Sequence, residues 1–250
     1  MTLNYNGVFV TGTDTGVGKT VVSACIALSI ARWGESVGVL KPVQTGAGFV
    51  GVLDVEFVYK ALGEGFDLEE VCPYRFSEPL SPMLAASLAG EEIEIPRVVR
   101  AYQRLRAEYD FVVVEGAGGL LVPIKEGYLM SDLARELALP VVVVARPGLG
   151  TINHTLLTVH SARSMGLEVL GIVINNYPSN PTRAERTNPA ALDALCDAPI
   201  IGVVPSVGGV SVGEGAFGGI NPIGGIAERS LGAELGGRFS LGEFLKALEG

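Results

Sequence analysis

The chain has 250 residues, 48% of them hydrophobic, and a formal net charge of −9 at pH 7. That length is enough for one large α/β domain or two small ones with an ample core. The acidic balance argues against nucleic acid or an anionic membrane as the main partner, because both select for basic patches. No apolar run reaches transmembrane length, no signal peptide is visible and the three cysteines are widely spaced, so we expect a cytoplasmic protein with reduced thiols.

Apolar runs and helical patterns alternate along the chain. Runs rich in Val and Ile, typical of strands buried in a parallel sheet, lie at Val8–Val10, Val37–Leu40, Phe111–Val114, Val141–Ala145, Val169–Ile174 and Ile200–Val204. Helical patterns lie between most of them, at Thr20–Trp33, Val55–Leu62, Pro96–Glu108, Ser131–Leu137, Ile152–Met165 and Pro189–Leu195. The alternation predicts an α/β fold with a mostly parallel sheet and helices on both faces, and we expect residues 1–250 to form a single domain.

Two regions interrupt this alternation. Gly65–Pro82 contains three prolines and is predicted to be loop-like. Val207–Gly237 contains eleven glycines and little periodicity, which is typical of a functional lid or a disordered stretch. Ser240–Leu248 is predicted to be a short terminal helix, with Ser240 as the N-cap and Glu243 completing a capping box.

The segment Thr11–Thr20 has the features of a phosphate-binding loop. It follows a short strand, ends in Gly18-Lys19-Thr20 and leads into a helix, which predicts a P-loop NTPase-like fold. The backbone N–H groups at a helix start suit a phosphate, Lys19 adds a charge on the outer phosphates, and Thr20 offers a hydroxyl to Mg²⁺. The usual spacing places a glycine at position 13, which is Thr13 here, and the glycine lies one residue earlier, at Gly12.

Three charged residues follow or flank predicted strands. Glu115 comes directly after four apolar residues, where a carboxylate can hold Mg²⁺, although a plain strand-to-loop turn has the same pattern. Asp54 opens a helix and is either its N-cap or, together with Thr20 and Glu115, a metal ligand. Lys41 follows a buried strand and precedes a proline. It is either a solvated lysine or a charge that stabilises a transferring phosphoryl group.

Two further strand ends carry polar groups. Thr151 and Asn153 begin a helix after two glycines, so Thr151 is either an N-cap or part of a carboxylate-binding helix start. Asn175-Asn176 can bind a base edge, because an amide offers both a donor and an acceptor. The guanine-reading pattern Asn-Lys-x-Asp is absent, which disfavours GTP.

Taken together, these motifs resemble the dethiobiotin synthetase family, the ATP-dependent enzymes of biotin biosynthesis. The resemblance covers residues 7–205, and the shifted glycine at Gly12 is itself a feature of the family. The segments that carry the resemblance are Thr11–Thr20, Lys41–Gly46, Ser77–Pro82, Val114–Gly119, Gly148–His154 and Asn175.

The resemblance implies a ligase that uses ATP as co-substrate, Mg²⁺ as cofactor, and 7,8-diaminononanoate and CO₂ as substrates. CO₂ adds to one amine to give a carbamate, which attacks the γ-phosphate, and the second amine then closes the ureido ring and expels phosphate. Family members are homodimers with the site near the subunit junction. Neither nucleic acid nor a membrane is implied as a partner.

The same resemblance implies a role for each matching residue. Lys41 and Lys19 are the catalytic residues, and Thr20, Asp54 and Glu115 hold the metal. The ATP site comprises Gly16, Val17, Gly18, Lys19, Thr20, Val21, Asp54, Glu115, Gly116, Ala117, Gly118, Asn175, Asn176, Pro205, Ser206 and Val207. The substrate site comprises Thr13, Thr45, Gly118, Gly150, Thr151 and Asn153. The family often has an acidic residue where Asn176 stands, which bears on nucleotide preference.

Two other classes of protein share parts of this pattern. A ParA- or MinD-like ATPase switch has a lysine early in the loop, whereas Gly12–Thr15 has none. Such a switch also needs a membrane helix or a basic surface. The predicted terminal helix is short, and Lys246 is its only basic residue. A corrinoid amidotransferase-type ligase needs a glutaminase domain, for which 250 residues leave no room.

Overall fold

A computed structural model of the chain describes residues 5–48, 52–206 and 212. The strands, in chain order, are β1 (Gly7–Gly12), β2 (Val37–Leu40), β3 (Val43–Gln44), β4 (Tyr74–Arg75), β5 (Phe111–Glu115), β6 (Pro123–Lys125), β7 (Tyr128–Leu129), β8 (Val141–Ala145), β9 (Val169–Tyr177) and β10 (Ile200–Pro205). The helices are α1 (Lys19–Trp33), α2 (Asp54–Leu62), α3 (Leu68–Val71), α4 (Pro82–Ala89), α5 (Ile95–Glu108), α6 (Met130–Glu136), α7 (Thr151–Ser164) and α8 (Arg183–Leu195).

A six-stranded parallel sheet forms the centre of the molecule, in the order β10-β9-β8-β1-β5-β2. Each residue of β5 and β8 is buried. Because successive side chains of a strand point to opposite faces, both faces of the sheet must be covered. This burial explains why the strands are nearly continuous Val and Ile runs, and it confirms the predicted α/β architecture.

The strand order reverses at β1. The chain leaves β1 through α1 and reaches the edge strand β2, and it later returns to place β8 on the opposite side of β1. Phe9 of β1 is accordingly opposite Val114 of β5 on one side and Val141 of β8 on the other. In open α/β sheets ligands bind outside the carboxyl ends of the strands at such a reversal.

The six predicted strands all belong to this sheet, and the six predicted helices all form, most of them within one residue of the predicted bounds. The prediction for α8 was wrong at its start, which is Arg183 rather than Pro189. The Thr182 hydroxyl accepts from the Glu185 backbone N, and the Glu185 carboxylate accepts from the Thr182 backbone N. This capping box starts the helix two turns early and leaves Pro189 inside it.

The loop predicted for Gly65–Pro82 was wrong in part, since it contains α3 and β4. Strand β4 pairs in parallel with β3, a second short strand that the sequence did not predict.

The glycine-rich segment Val207–Gly237, apart from Val212, and the predicted helix Ser240–Leu248 lie outside the described residues. Within the described ranges no helix is both long enough and apolar enough to cross a bilayer.

Replacing Phe111 tests how much the central sheet depends on full burial. Phe111 is 0% exposed, so Phe111→Ala should lower the free energy of unfolding by about 3–5 kcal/mol through lost burial and a residual cavity. Leu195→Ala is the control, because Leu195 is 62% exposed and its loss should change stability by less than about 0.5 kcal/mol. Urea unfolding followed by circular dichroism measures both, and equal effects would contradict the described core.

Candidate active site

The phosphate-binding loop connects β1 to α1 and depends on glycine at Gly18. Gly18 is the N-cap of α1 with φ at 89°, in the left-handed region that favours glycine. A Cβ placed there would lie 1.9 Å from Asn175 Nδ2. Gly16 is also left-handed, with φ at 75°, but a Cβ there would meet no atom within 4 Å. The loop therefore needs glycine at position 18 for conformation and for space, and at position 16 for conformation.

Gly12 lies where the loop folds back on the end of β1. A Cβ on Gly12 would lie 2.7 Å from the Asp14 carbonyl oxygen, 2.8 Å from Val17 Cγ2 and 3.2 Å from Lys19 Nζ. Position 12 therefore requires glycine, because the loop packs too closely against it to leave room for a side chain. Thr13, at the position where the usual motif has glycine, is partly buried, and its hydroxyl has no hydrogen-bond partner among the described residues.

Lys41 lies between two carboxylates. Its Nζ is 2.6 Å from Asp54 Oδ2 and 2.7 Å from Glu115 Oε1. The same Glu115 oxygen accepts from the Thr20 hydroxyl at 2.9 Å. Lys41 is 4% exposed and Glu115 is 2% exposed, so the lysine is not a solvated surface group and the glutamate is not part of a plain turn.

The charges of this cluster shift one another's pKa. Burial lowers the pKa of Lys41, but Asp54 and Glu115 outweigh that effect and hold it above its usual range, so the ammonium stays charged. Burial raises the pKa of Asp54, yet the Lys41 charge brings it below its usual range. Burial and the neighbouring Asp54 raise the pKa of Glu115, and Lys41 opposes this only in part.

Lys19 approaches the same cluster from the loop. It is buried, and its Nζ donates to the Asp14 carbonyl at 3.3 Å. Burial, followed by repulsion from Lys41, lowers the pKa of Lys19 to about 8. An anion bound beside Lys19 and Lys41 would offset the cost of keeping two buried ammonium groups charged.

These groups surround a cavity of about 350 Å³. Its lining contains two lysines, two carboxylates and three threonine hydroxyls. The lining residues are Thr15, Gly16, Gly18, Lys19, Thr20, Lys41, Val43, Gln44, Thr45, Asp54, Glu115, Ala117, Gly118 and Val212. Both predicted catalytic lysines and all three predicted metal ligands thus meet at one place, together with Thr45 and Gly118 among the predicted substrate residues.

Several predicted site residues are next to lining residues in the chain but do not line the cavity themselves. Val17 is buried in the core and Val21 is half-buried on α1. Gly116 follows β5, where a Cβ would lie 2.8 Å from Phe9 Cε1, so the position has no room for a side chain. These residues shape the loop backbone around the cavity.

Asn175 holds the phosphate-binding loop. Its Nδ2 donates to the Val17 carbonyl at 2.9 Å, and the residue is 5% exposed. Asn176 is exposed and has φ at 59°, a left-handed conformation that asparagine tolerates better than most residues. Pro205 and Ser206 lie beside this strand end, where Ser206 N donates to the Tyr177 carbonyl at 2.7 Å. Val207 lies outside the described residues.

For Asp54 and Thr151, the N-cap alternative is wrong. Leu53 is the N-cap of α2, and Asp54 is its first residue, with its carboxylate on Lys41. Gly150, with φ at 92°, is the N-cap of α7, so the left-handed glycine displaces Thr151 from that position. The Thr151 side chain is fully buried, and its hydroxyl lies 3.4 Å from that of Thr155.

The start of α7 is separate from the cavity in a single chain. Gly150 and Asn153 are exposed, and neither they nor Thr151 are among the residues that line the cavity. The neighbouring Leu149 is 88% exposed. The sequence interpretation missed four of the cavity residues, namely Thr15, Val43, Gln44 and Val212, and the only signal for Gln44 was its place within the Lys41–Gly46 motif.

Solved structures with the same fold include the cell division protein MinD of Aquifex aeolicus in complex with MinC, with a TM-score of 0.54 and 17% identity over 92% of this chain and 99% of that one. Another is the apo McdA structure from Cyanthece, with a TM-score of 0.56 and 11% identity over 97% of this chain and 99% of that one. Identities this low establish the fold alone. The fold and the loop define a P-loop nucleotide-binding protein, as the sequence predicted.

A family model described as "AAA domain" matches residues 6–212, and the ATP-dependent dethiobiotin synthetase BioD of Bacillus velezensis is 43% identical over 81% of this chain and 88% of that protein. The chain belongs to the ATP-dependent dethiobiotin synthetase family, and it is a ligase. BioD of Methanocaldococcus jannaschii is 46% identical over 67% of this chain and 78% of that protein, and BioD of Thermodesulfovibrio yellowstonii is 38% identical over 80% and 88%. The family resemblance inferred from the motifs is confirmed.

Two alanine substitutions separate the two requirements at the loop glycines. Gly16→Ala should lower the free energy of unfolding by about 1–2 kcal/mol, the cost of a left-handed alanine. Gly18→Ala should cost more, because it adds the clash with Asn175 to the same backbone cost. Urea unfolding without nucleotide measures the difference. Equal losses would mean that Asn175 does not press against the loop.

Proposed function

We propose that this protein joins CO₂ to 7,8-diaminononanoate with ATP and Mg²⁺, giving dethiobiotin, ADP and phosphate. One observation carries the proposal: the buried Lys41 ammonium lies in the wall of a P-loop cavity, between two carboxylates and near a second lysine. This arrangement suits a reaction that moves a phosphoryl group and develops negative charge.

The proposed magnesium ligands are Thr20, Asp54 and Glu115. A hydroxyl and two carboxylates are the oxygen donors that Mg²⁺ prefers, and this ion usually completes its shell with phosphates and water. Within the described ranges no group of three or more His, Cys, Asp or Glu side chains is placed to hold a metal ion. When bound, Mg²⁺ neutralises charge on the β- and γ-phosphates.

The proposed nucleotide site runs along the carboxyl edge of the sheet. Backbone N–H groups of residues 16–21 and the Lys19 ammonium bind the phosphates at the start of α1. Ala117 and Gly118 line the same cavity, and Gly116 precedes them in the chain. Asn175, Asn176, Pro205 and Ser206 are the proposed contacts of the adenine, and Val207, which was also predicted for this site, lies outside the described residues.

The proposed chemistry needs little from the protein besides position and charge. One amine of the substrate attacks CO₂ and loses a proton to give a carbamate. A carbamate oxygen then attacks the γ-phosphorus, and the bond to the ADP oxygen breaks. The second amine attacks the carbonyl carbon of the resulting mixed anhydride, the C–O bond breaks, and phosphate leaves with the ring closed. Lys41 and Lys19 stabilise the negative charge on the transferring phosphoryl group.

The buried thiols of Cys25 and Cys72 do not offer a covalent route. Burial raises the pKa of both Cys25 and Cys72 to about 12, so neither is a thiolate near neutral pH. The cavity lining contains no Ser, Cys or His among the described residues. Direct attack by the carbamate on ATP agrees with this inventory.

We further propose a cytoplasmic homodimer of single-domain subunits. Thr13, Thr45 and Gly118 would contact the diamine end of the substrate within one subunit. Gly150, Thr151 and Asn153 lie away from that subunit's cavity, so the partner's helix start would bind the substrate carboxylate, with Thr151 contributing its backbone. The exposed Leu149 and Leu157, 88% and 58% exposed, give this surface an apolar character suited to a subunit contact.

Phosphate release tests the reaction directly. Purified protein is mixed with ATP, Mg²⁺, bicarbonate and 7,8-diaminononanoate, and phosphate and dethiobiotin are measured together. Release should require the diamine and should match dethiobiotin formation one to one. Release that persists when the diamine is omitted would refute the proposed function and favour a simple ATPase.

Replacing Lys41 tests its proposed role. Lys41→Ala should lower turnover at least about a hundredfold, because it removes a preorganised charge from the phosphoryl group. Lys125→Ala is the matched control: Lys125 pairs with the exposed Glu92 and should leave turnover unchanged. Circular dichroism of both variants is the control for folding. Near-normal activity of Lys41→Ala would remove Lys41 from the mechanism.

A further inference from the structure

Gln44 joins the Lys41 segment to the start of α2. Its side chain is 5% exposed and lines the cavity. Oε1 accepts from the backbone N of Asp54 at 3.3 Å, and Nε2 donates to the Thr45 carbonyl at 3.1 Å. Both ends of the amide are therefore engaged where the loop after β3 meets the helix.

The start of α2 has no polar cap of its own. Its N-cap, Leu53, has an apolar side chain, and the first N–H groups of a helix have no partner within it. The backbone N of Asp54 is one of these donors, and Gln44 supplies its acceptor from ten residues earlier in the chain. A polar N-cap residue would normally supply an acceptor at this end of a helix.

Two residues of the same segment therefore hold Asp54. Gln44 Oε1 accepts a hydrogen bond from the Asp54 backbone N, and Lys41 Nζ lies 2.6 Å from Asp54 Oδ2. Gln44 is itself fixed, because its carbonyl accepts from Phe76 N at 2.8 Å and its strand pairs with β4. The position of the Asp54 carboxylate thus depends on the pairing of β3 with β4.

We infer that Gln44 is a positioning residue that orients Asp54 toward the metal–phosphate site. The inference rests on the proposed function, in which Asp54 is a ligand of Mg²⁺. Some residues hydrogen-bond to a metal ligand and orient it without binding the metal. Removing such a residue commonly lowers metal affinity by about 10–100-fold. Gln44 acts through Asp54 and is not proposed to contact the reacting atoms.

Glu56 provides a matched control. Its Oε2 accepts from Leu53 N at 2.8 Å, so it stabilises the same helix start with one hydrogen bond. Glu56 is not among the residues that line the cavity. A role limited to helix stability predicts similar effects from losing either residue, whereas positioning of Asp54 predicts an effect on metal affinity from Gln44 alone.

The experiment compares Gln44→Met and Glu56→Met in the full chain. Binding of Mn²⁺, as a probe for Mg²⁺, is measured by electron paramagnetic resonance in the presence of ADP, and melting temperatures are recorded alongside. Gln44→Met should raise the Mn²⁺ dissociation constant about tenfold, and Glu56→Met should leave it unchanged. Gln44→Asn, which keeps an amide but shortens its reach, should shift the dissociation constant in the same direction and serves if Gln44→Met does not fold.

Three results would overturn the inference: unchanged Mn²⁺ affinity in the Gln44 variants, an equal loss in Glu56→Met, or no ADP-dependent Mn²⁺ binding by the original protein. The readout needs no turnover. A failure to make dethiobiotin together with the expected Mn²⁺ shift would therefore refute the proposed reaction and leave the role of Gln44 in place.

Discussion

Burial of the Lys41 ammonium between two carboxylates is the constraint on which the site depends. A buried charge without a partner is far more costly than a buried pair, so Lys41, Asp54 and Glu115 must arrive together. They come from the ends of two strands and the start of a helix, at sequence positions up to 74 residues apart. A fold that kept these residues buried but separated them would leave at least one buried ion unpaired.

The sheet brings them together through its strand order. Strand β5 lies between β1 and β2, so Glu115 ends beside both the phosphate-binding loop and the residue that follows β2. Asp54, the first residue of α2, pairs with Lys41 at this edge. Thr20, in the first turn of α1, donates a hydrogen bond to Glu115. The phosphate-binding loop, the proposed metal ligands and the Lys41 charge therefore all lie at one edge of the sheet.

Much of this could be predicted from the sequence, for identifiable physical reasons. The six central strands are buried on both faces, so their apolar runs were unambiguous, and Gly18-Lys19-Thr20 marked the loop. Strands of two or three residues, such as β3, are too short to show a period. The contact of Gln44 with the Asp54 backbone was not predictable, because it depends on a pairing with β4 that no local pattern indicates. The sequence left the N-cap role open for Asp54 and Thr151, and the structure places the preceding residue, Leu53 or the left-handed Gly150, at that position instead.

The hydrogen bond from Asn175 to the Val17 carbonyl has a consequence for how nucleotide preference could change in this lineage. Asn175 lies on β9, two strands away from β1 in the sheet, yet it supports the backbone that must cradle phosphate. If Asn175 also faces the adenine as proposed, a substitution that alters base selectivity removes a support of the phosphate loop in the same step. A change of base preference through Asn175 would thus need a second substitution that replaces the hydrogen bond to the Val17 carbonyl. A single replacement at this position would change the base contact and weaken the phosphate loop together.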